Sequence, residues 1–183
     1  MSDAVSALGG VTFDGFAKVR EIGPLGMISL RAVPQTKGLA VAVKAAVGTA
    51  LPTQRQIVTD GDRATAWMAP DEYLLMLPYR DVSKAIETLG KKLGAAHHLA
   101  VDVSDARAIF RIEGPKADQV LRKLCPVDFD TLQPGEIRRT RAAQVACAVW
   151  RDREGCTIVS FRSVAAYVMG LLIHSAQPGS EIA

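Results

Sequence analysis

The amino-acid sequence predicts an α+β fold of two similar halves, each running β-α-β-β-α and forming antiparallel sheet covered by helices on one side. A strand, a Gly-Pro corner and a helix near the middle of the chain are the first sign of this fold. The second is that the same order of elements occurs twice. The third is that Trp67 and Trp150 hold equivalent places in the two halves, as do helices that begin near Val82 and Val164.

The composition is that of an ordinary globular protein. Of the 183 residues, 49% are hydrophobic and 22% are charged, which excludes a disordered or fibrous class. The net charge of +3 gives no argument for nucleic acid as a partner. No apolar run approaches the roughly 20 residues that a membrane-spanning helix needs, so no membrane partner is expected.

The N-terminus and the cysteines favour the cytoplasm. Residues 1–4 lack the basic start and the long apolar centre of a secretory signal. Cys125, Cys147 and Cys156 are odd in number and have no C-x-x-C spacing, which suits a reducing compartment and provides no disulfide framework or metal site. We therefore expect a cytoplasmic protein.

The central strand precedes the Gly114-Pro115 corner. Its residues alternate with a period of two, which predicts one buried face, made of Ala108, Phe110 and Ile112. Pro115 can occupy the first turn of a helix, where its missing N–H costs nothing. The helix carries one apolar stripe, formed by Ala117, Val120, Leu121 and Leu124. Cys125-Pro126 ends it, because a residue before proline is pushed out of the α region.

The first half begins with a strand over 27–33 that Pro34 ends. Gly38 then opens a helix with an apolar stripe, made of Leu39, Ala42, Val43, Ala46 and Val47. Two short strands, 64–68 and 73–77, follow. A second helix starts at Asp81 and ends at Gly94.

The second half continues after the central helix. A turn at 132–135 leads to one long strand over 137–150, and a turn at 152–155 leads into a strand over 156–161. This loop length places Cys147, Val149, Cys156 and Ile158 on one face. Ser163 is the predicted N-cap of the last helix, whose stripe is Val164, Val168, Leu171, Leu172 and Ser175.

The pattern predicts three segments along the chain. Residues 1–24 show no sustained period and are interpreted as an arm that packs on another surface or is loose. Residues 25–177 form the α+β domain, with halves at about 25–95 and 99–177. Residues 178–183 are a tail.

The histidines and aspartates offer the first candidates for chemistry. His97 and His98 are interpreted as a solvated loop rather than a metal ligand pair. His174 suits a helix C-terminus, where a cationic side chain is favoured. Asp102 and Asp105 flank Ser104, and one of them could act as a general base or both could form the hydrogen bonds of a turn. Since neither has a recognisable catalytic partner, the turn is the preferred interpretation.

The cysteines, aromatic residues and arginines offer further candidates. Cys125, before a proline, and Cys147, within a strand, are interpreted most simply as small buried apolar groups. Four aromatic residues pack in the core or at an interface, or else stack a flat ligand such as a pterin; these are Trp67, Trp150, Tyr73 and Phe161. Three arginines occupy surface positions of a strand and form salt bridges to a partner chain, or else meet phosphates or a polyglutamate tail; these are Arg138, Arg139 and Arg141. We assign no catalytic, cofactor-binding or metal-binding residue.

Several short motifs resemble those of the γ subunit of heterotetrameric sarcosine oxidase. The segment 67–75 reads W-x-x-P-D-E-x-L-L, as it does in that family. Other matching segments, in the same order, are Asp102-Val103-Ser104-Asp105 with Arg107, Gly114-Pro115-x-Ala117, Cys125-Pro126-Val127-Asp128, Pro134-Gly135 and Phe161-Arg162-Ser163-x-Ala165-x-Tyr167. The resemblance covers about residues 25–175. More distantly, the chain is similar to the folate-binding domain of aminomethyltransferases.

The resemblance implies a subunit of an enzyme of sarcosine catabolism and one-carbon metabolism. That enzyme demethylates sarcosine to glycine with formation of hydrogen peroxide, and its one-carbon product is formaldehyde or 5,10-methylenetetrahydrofolate. FAD, FMN, NAD, zinc and tetrahydrofolate are expected in partner subunits and none in this chain. The implied partners are the α, β and δ subunits, with direct contact to the large α subunit.

Two functional hypotheses follow from these features. The first is a structural subunit without catalytic residues, which docks on larger subunits through a partly apolar surface, expected at the N-terminal arm and one sheet edge. The second is a free-standing folate-binding protein or one-carbon transferase. The second requires a concave aromatic pocket with a carboxylate near the pterin.

Overall fold

The computed structural model describes residues 4–182 and divides the chain into two units. The first unit is the continuous segment Leu25–Ser104. The second unit combines the N-terminal segment up to Pro24 with the segment from Asp105 onward. No described helix is both long enough and apolar enough to cross a membrane.

Strands and helices follow one another in two similar series. In chain order they are β1 (Thr12–Asp14), β2 (Lys18–Ile22), β3 (Leu25–Arg31), α1 (Leu39–Val47), β4 (Ile57–Asp60), β5 (Arg63–Ala69), β6 (Glu72–Pro78), α2 (Val82–Leu93), β7 (Leu99–Asp102), β8 (Arg107–Glu113), α3 (Ala117–Arg122), β9 (Ile137–Ala142), β10 (Val145–Arg151), β11 (Gly155–Phe161) and α4 (Ala165–Ser175). Short 3₁₀ turns at Tyr79–Asp81 and Arg162–Val164 lead into α2 and α4.

The first unit is a five-stranded antiparallel sheet with the order β4-β5-β6-β3-β7. Alternate residues of the strands pack with the apolar stripes of α1 and α2, because a period of two in a strand places every second side chain on the same face. Ile28 and Leu75 from the sheet are fully buried in one cluster with Val43 of α1 and Leu89 of α2.

The second unit is a six-stranded antiparallel sheet with the order β1-β2-β8-β11-β10-β9. Its core contains Phe110 and Ile158 from the sheet, Leu121 from α3 and Leu172 from α4. The predicted face shared by Cys147, Val149, Cys156 and Ile158 is confirmed, since all four lie in this cluster.

The repeat predicted from the sequence is confirmed by the topology. The series β3-α1-β4-β5-β6-α2 corresponds to β8-α3-β9-β10-β11-α4, and corresponding strands have the same neighbours in the two sheets. Trp67 lies on β5 and Trp150 on the corresponding β10. One strand position is filled from different parts of the chain in the two sheets. The strand beside β3 is β7, which follows α2 in the sequence, whereas the strand beside β8 is β2, which comes from the N-terminal segment.

The prediction that residues 1–24 form a separate arm is wrong for the residues that the structure describes. β1 and β2 lie within this segment, and β2 pairs along its length with β8, with Val19 opposite Ile112. The charged residues of β2 leave only Val19 and Glu21 buried, a run too short to show a period. Residues 1–3 lie outside the described part of the chain.

The tail at 178–183 is held at two points. The backbone N–H of Ile182 donates to the side-chain oxygen of Gln119 at 2.9 Å, and the ammonium group of Lys123 donates to the Ser175 carbonyl at 2.8 Å and to the carbonyl of Ser180. Residue 183 lies outside the described part of the chain.

Two other predicted elements need correction. The long strand over 137–150 is a hairpin of β9 and β10, because Ala143 adopts a left-handed conformation with φ 50° and reverses the chain. No glycine or asparagine marks this turn. Ser163 does not cap the last helix: it lies in a 3₁₀ turn, and no side chain caps α4.

The central strand β8 is also buried on both faces rather than on one. Ile109 and Arg111, predicted to face solvent, are buried together with Phe110. The strands β4 and β7 lie at sheet edges and were not predicted. Both are short and mostly exposed, so neither carries a clear apolar pattern.

A buried carboxylate on β2 holds the residues before β1 against that strand. Glu21, with 5% of its surface exposed, accepts hydrogen bonds from the Ser6 hydroxyl at 2.8 Å and from the backbone N–H groups of Leu8 and Gly10 at 3.0 and 2.9 Å. A buried carboxylate is tolerated when such donors replace its lost water.

We predict that Glu21→Gln lowers the free energy of unfolding by about 1.5–3 kcal/mol, the usual range for hydrogen bonds to a charged group. The amide keeps the shape of the side chain but loses the charge and turns one acceptor into a donor. Urea unfolding of the full chain measures the change. A loss smaller than 0.5 kcal/mol, about the level of an ordinary surface substitution, would contradict this role of Glu21.

We also predict that Gly155→Ala is destabilising by about 1–3 kcal/mol, the usual cost of forcing extra atoms into a packed site. A Cβ at this position of β11 would stand 2.0 Å from the carbonyl oxygen of Ile112, which is main-chain and cannot move aside alone. The matched control is Gly90→Ala on α2, where a Cβ meets no atom within 4 Å. This control is expected to stabilise the chain by about 0.5–1 kcal/mol in the same urea unfolding measurement.

Candidate functional site

An apolar groove of about 450 Å³ lies in the first unit. Pro34 follows β3, the segment 51–54 connects α1 to β4, and Pro70 lies in the turn between β5 and β6. The hairpin of β5 and β6 places Trp67 directly opposite Tyr73, and both residues line the groove.

None of the residues that line this groove is charged; they are Pro34, Leu51, Pro52, Thr53, Gln54, Trp67, Pro70 and Tyr73. Burial raises the pKa of the Tyr73 phenol above its usual value, so the hydroxyl stays protonated at neutral pH. The groove therefore has aromatic surface for an apolar or flat group. It has no residue that could act as an acid or base near neutral pH.

The four candidate aromatic residues do not form one site. Trp67 and Tyr73 come together in the groove. Trp150 is buried in β10, and Phe161 is exposed on β11, where the guanidinium carbon of Arg107 lies 4.1 Å from its ring centre. The sequence analysis missed Pro34, Leu51 and Pro52, because residues at the ends of distant elements carry no periodic signal.

A second, small pocket of about 70 Å³ lies at the Gly114-Pro115 corner. The N–H of Gly114 donates to the carbonyl of Glu154 at 3.4 Å, and the N–H of Ala117 donates to the carbonyl of Gly114 at 3.1 Å. These N–H groups are already used within the chain, so the corner does not offer them to a phosphate.

An ionic network that the sequence analysis missed surrounds buried Arg111. Its guanidinium donates to the Thr157 hydroxyl at 3.1 Å and to the Asp152 carboxylate at 2.6 Å. On the neighbouring strand, Arg20 donates to Glu113 at 2.8 Å. Each of these ionic groups pairs with an opposite charge, which is typical of a cluster that stabilises the fold. In the sequence, the only sign of a partner for Arg111 is the predicted turn at 152–155, which contains Asp152.

The network shifts the pKa of both carboxyl groups downward. Partial burial alone would raise the pKa of Asp152, but the hydrogen bonds from Arg111 and from the N–H groups of Glu154 and Gly155 outweigh it. The hydrogen bond from Arg20 holds the pKa of Glu113 below its usual value.

The three cysteines are free thiols buried in the core of the second unit, which confirms the prediction for Cys125 and Cys147. Interaction with the thiol of Cys147, together with burial, raises the pKa of Cys125. Burial raises the pKa of Cys156 to about 11. Cys125 and Cys156 therefore stay protonated at neutral pH, whereas nucleophilic attack requires the thiolate.

The histidines lie in a loop and at a helix C-terminus, and Asp102 lies in a turn, as the sequence predicted. His97 is exposed after α2, His98 approaches the Ala96 carbonyl at 2.7 Å, and His174 is exposed in the last turn of α4. Asp102 accepts hydrogen bonds from the N–H and hydroxyl of Ser104 at 2.9 and 2.6 Å, which confirms the turn. Within residues 4–182, no three such side chains are grouped to hold a metal ion.

The remaining aspartate and the arginines are surface groups. Asp105 lies 3.9 Å from Arg162. On the edge strand β9, Arg138 pairs with Glu136 at 3.0 Å, and Arg139 and Arg141 are exposed. The interpretation as surface strand positions is confirmed.

A comparison with known families identifies the chain. The model of the "Sarcosine oxidase, gamma subunit family" matches residues 32–177. The chain belongs to this family. The resemblance found in the sequence motifs is thereby confirmed.

Individual relatives agree with this assignment. The sarcosine oxidase subunit gamma of an Arthrobacter species is 35% identical over 144 residues, which are 76% of this chain and 70% of that protein. The corresponding subunit of Corynebacterium sp. strain U-96 is 35% identical over 140 residues, or 74% and 67% of the two chains.

Solved structures confirm the fold. A chain of the heterotetrameric sarcosine oxidase from Corynebacterium sp. U-96 superposes with a TM-score of 0.79 and 29% identity, covering 87% of this chain and 83% of that one. The glycine cleavage system aminomethyltransferase T from Bartonella henselae gives a TM-score of 0.64 at 15% identity, covering 86% and 45%. The α+β fold expected for a gamma subunit, with its aminomethyltransferase-like architecture, is therefore confirmed.

We predict that this gamma-family chain loses stability as the pH falls below about 4. A carboxyl group whose pKa is lowered in the folded state stabilises the fold fully above its unfolded pKa, about 4, and the stabilisation disappears as the pH falls through the folded pKa. Urea unfolding between pH 6 and pH 3 measures this loss. Asp152→Asn is expected to lower the stability at pH 6 and to reduce the slope of stability against pH. A slope equal to that of the unmodified chain would contradict the role of Asp152.

Proposed function

We propose that this chain is the gamma subunit of a heterotetrameric sarcosine oxidase and that it is a structural subunit without catalytic residues of its own. The observation that carries the proposal is the 0.79 TM-score match, over 87% of the chain, to a chain of the Corynebacterium heterotetrameric enzyme. In this assignment the complex demethylates sarcosine oxidatively to glycine, with formation of hydrogen peroxide and of formaldehyde or 5,10-methylenetetrahydrofolate.

The chemistry of the described residues supports the structural role. The apolar groove has no charged lining, the Arg111 network is internally paired, and Cys125 and Cys156 are protonated thiols in the core. We therefore place the FAD, FMN, NAD, zinc and tetrahydrofolate sites in the other subunits. The contribution of this chain is a folded surface on which those subunits assemble in the cytoplasm, with the large α subunit as its direct neighbour.

A folate-binding protein is the second candidate, because Trp67 and Tyr73 give the groove an aromatic lining. A pterin is a polar heterocycle, and its recognition was expected to need a carboxylate beside the aromatic rings. None of the residues that line the groove supplies one. The groove therefore favours an apolar group over a pterin.

The test is co-expression of the other oxidase subunits with and without this chain. Loss of a structural subunit removes the binding energy that holds the complex together, so we expect the yield of assembled, sarcosine-oxidising complex to fall at least about tenfold, which corresponds to about 1.4 kcal/mol of assembly free energy. Normal assembly and normal turnover without this chain would contradict the proposal.

Two controls separate the structural role from catalysis and folate binding. Trp67→Phe with Tyr73→Phe is expected to leave the kcat of the assembled complex unchanged. Calorimetric titration of the isolated chain with tetrahydrofolate is expected to give no binding. Binding with a Kd of about 1 μM, equivalent to about −8 kcal/mol, would favour the folate-binding protein instead.

A further inference from the structure

The two sheets have four edge strands, and their exposed residues differ in kind. Edge strands invite pairing with other chains unless charge, shortness or proline protects them. β9 has three arginines, β1 has three residues only, and the exposed half of β4 is Thr59-Asp60. β7 instead exposes aliphatic side chains: Leu99 is 55% exposed and Val101 is 42% exposed. Of the four edge strands, β7 is therefore the least protected against pairing with another chain.

The hydrogen-bond pattern shows which backbone groups of β7 are open. The N–H of Val103 donates to the carbonyl of Met27 at 2.8 Å, just beyond the paired residues Ser29 and Val101. In an antiparallel pair, hydrogen-bonded residues alternate, so Val101 faces β3 and the N–H and C=O groups of Ala100 and Asp102 point to the outer edge. Within residues 4–182, no hydrogen bond beyond the strand pairing uses these outward groups.

The internal repeat shows what a strand at this position looks like. β2 occupies in the second sheet the place that β7 occupies in the first, and β1 lies on the outer side of β2. That pairing is antiparallel and three residues long, with Phe13 opposite Val19. In the first sheet, the place that corresponds to β1 is not filled by any described strand of this chain.

We propose that the outer edge of β7 seats an extended segment of another subunit of the oxidase, paired antiparallel as β1 is paired with β2. The segment has apolar side chains that cover Leu99 and Val101, since strand addition combines main-chain hydrogen bonds with pockets for alternate side chains. The exposed carboxylate of Asp102 at one end of the edge favours a basic residue there. This inference rests on the proposed function.

The test is a proline that removes only an outward N–H. Ala100→Pro eliminates one donor of the open edge and leaves the pairing with β3 intact, since proline is accepted on an edge strand when its nitrogen faces solvent. In co-expression with the other subunits, we expect at least about a tenfold loss of this chain from the purified complex, equivalent to about 1.4 kcal/mol.

Thr59→Pro on β4 is the matched control. The N–H of Trp67 donates to the carbonyl of Gln56 at 2.9 Å, so by the same alternation the N–H of Thr59 also faces an open edge. This variant is expected to assemble like the unmodified chain. A second test variant, Val101→Lys, changes an exposed side chain without touching the backbone, and it decides the matter if Ala100→Pro fails to fold by circular dichroism.

Each outcome has one meaning. If the unmodified chain assembles and both β7 variants assemble equally well, the proposal for β7 is overturned while the proposed function stands. If the unmodified chain does not assemble, the proposed function fails. If the isolated chain dimerises and Ala100→Pro abolishes the dimer, the occupant is a second copy and the proposal is overturned.

Discussion

The pairing of β2 with β8 is the constraint on which the rest of the structure depends. It closes the second unit, whose two segments are separated in the sequence by the whole of Leu25–Ser104. Val19 is fully buried in this pairing, and Arg20 reaches Glu113 across it. Without β2, the strand β8 would lose one of its two neighbours and expose a row of unpaired backbone groups.

Ionic and polar groups make further links within the second unit. Glu21 binds the segment before β1, and Arg111 links β8 to β11 and to the turn that enters it. Such groups cost energy to bury and are stable only when fully paired. Their pairing explains how charged residues in the middle of a sheet can be accommodated in this gamma-family chain.

The sequence predicted the parts of the fold that have a strong period. The apolar stripe over Leu39–Val47 correctly predicted a helix, the strand predicted over 27–33 corresponds to β3, and the repeat followed from the order of the elements. The strand β2 was not predicted, because the charged residues Lys18 and Arg20 interrupt its apolar pattern. The turn at Ala143 was not predicted either, because no residue typical of turns marks it. Trp67 and Tyr73 lie on the two strands of a single hairpin, so their approach depends on local sequence alone. The prolines that line the same groove come together with them only through tertiary packing.

The discontinuous second unit has a consequence for synthesis on the ribosome. β2 leaves the ribosome early but finds β8 only after every residue from Leu25 to Ser104 has been translated. The first unit has all of its strands and helices within one continuous segment, and domains generally fold as units while the chain grows. Until then the edge of β2 that pairs with β8 has no partner, and the nascent chain is open to mispairing at that edge.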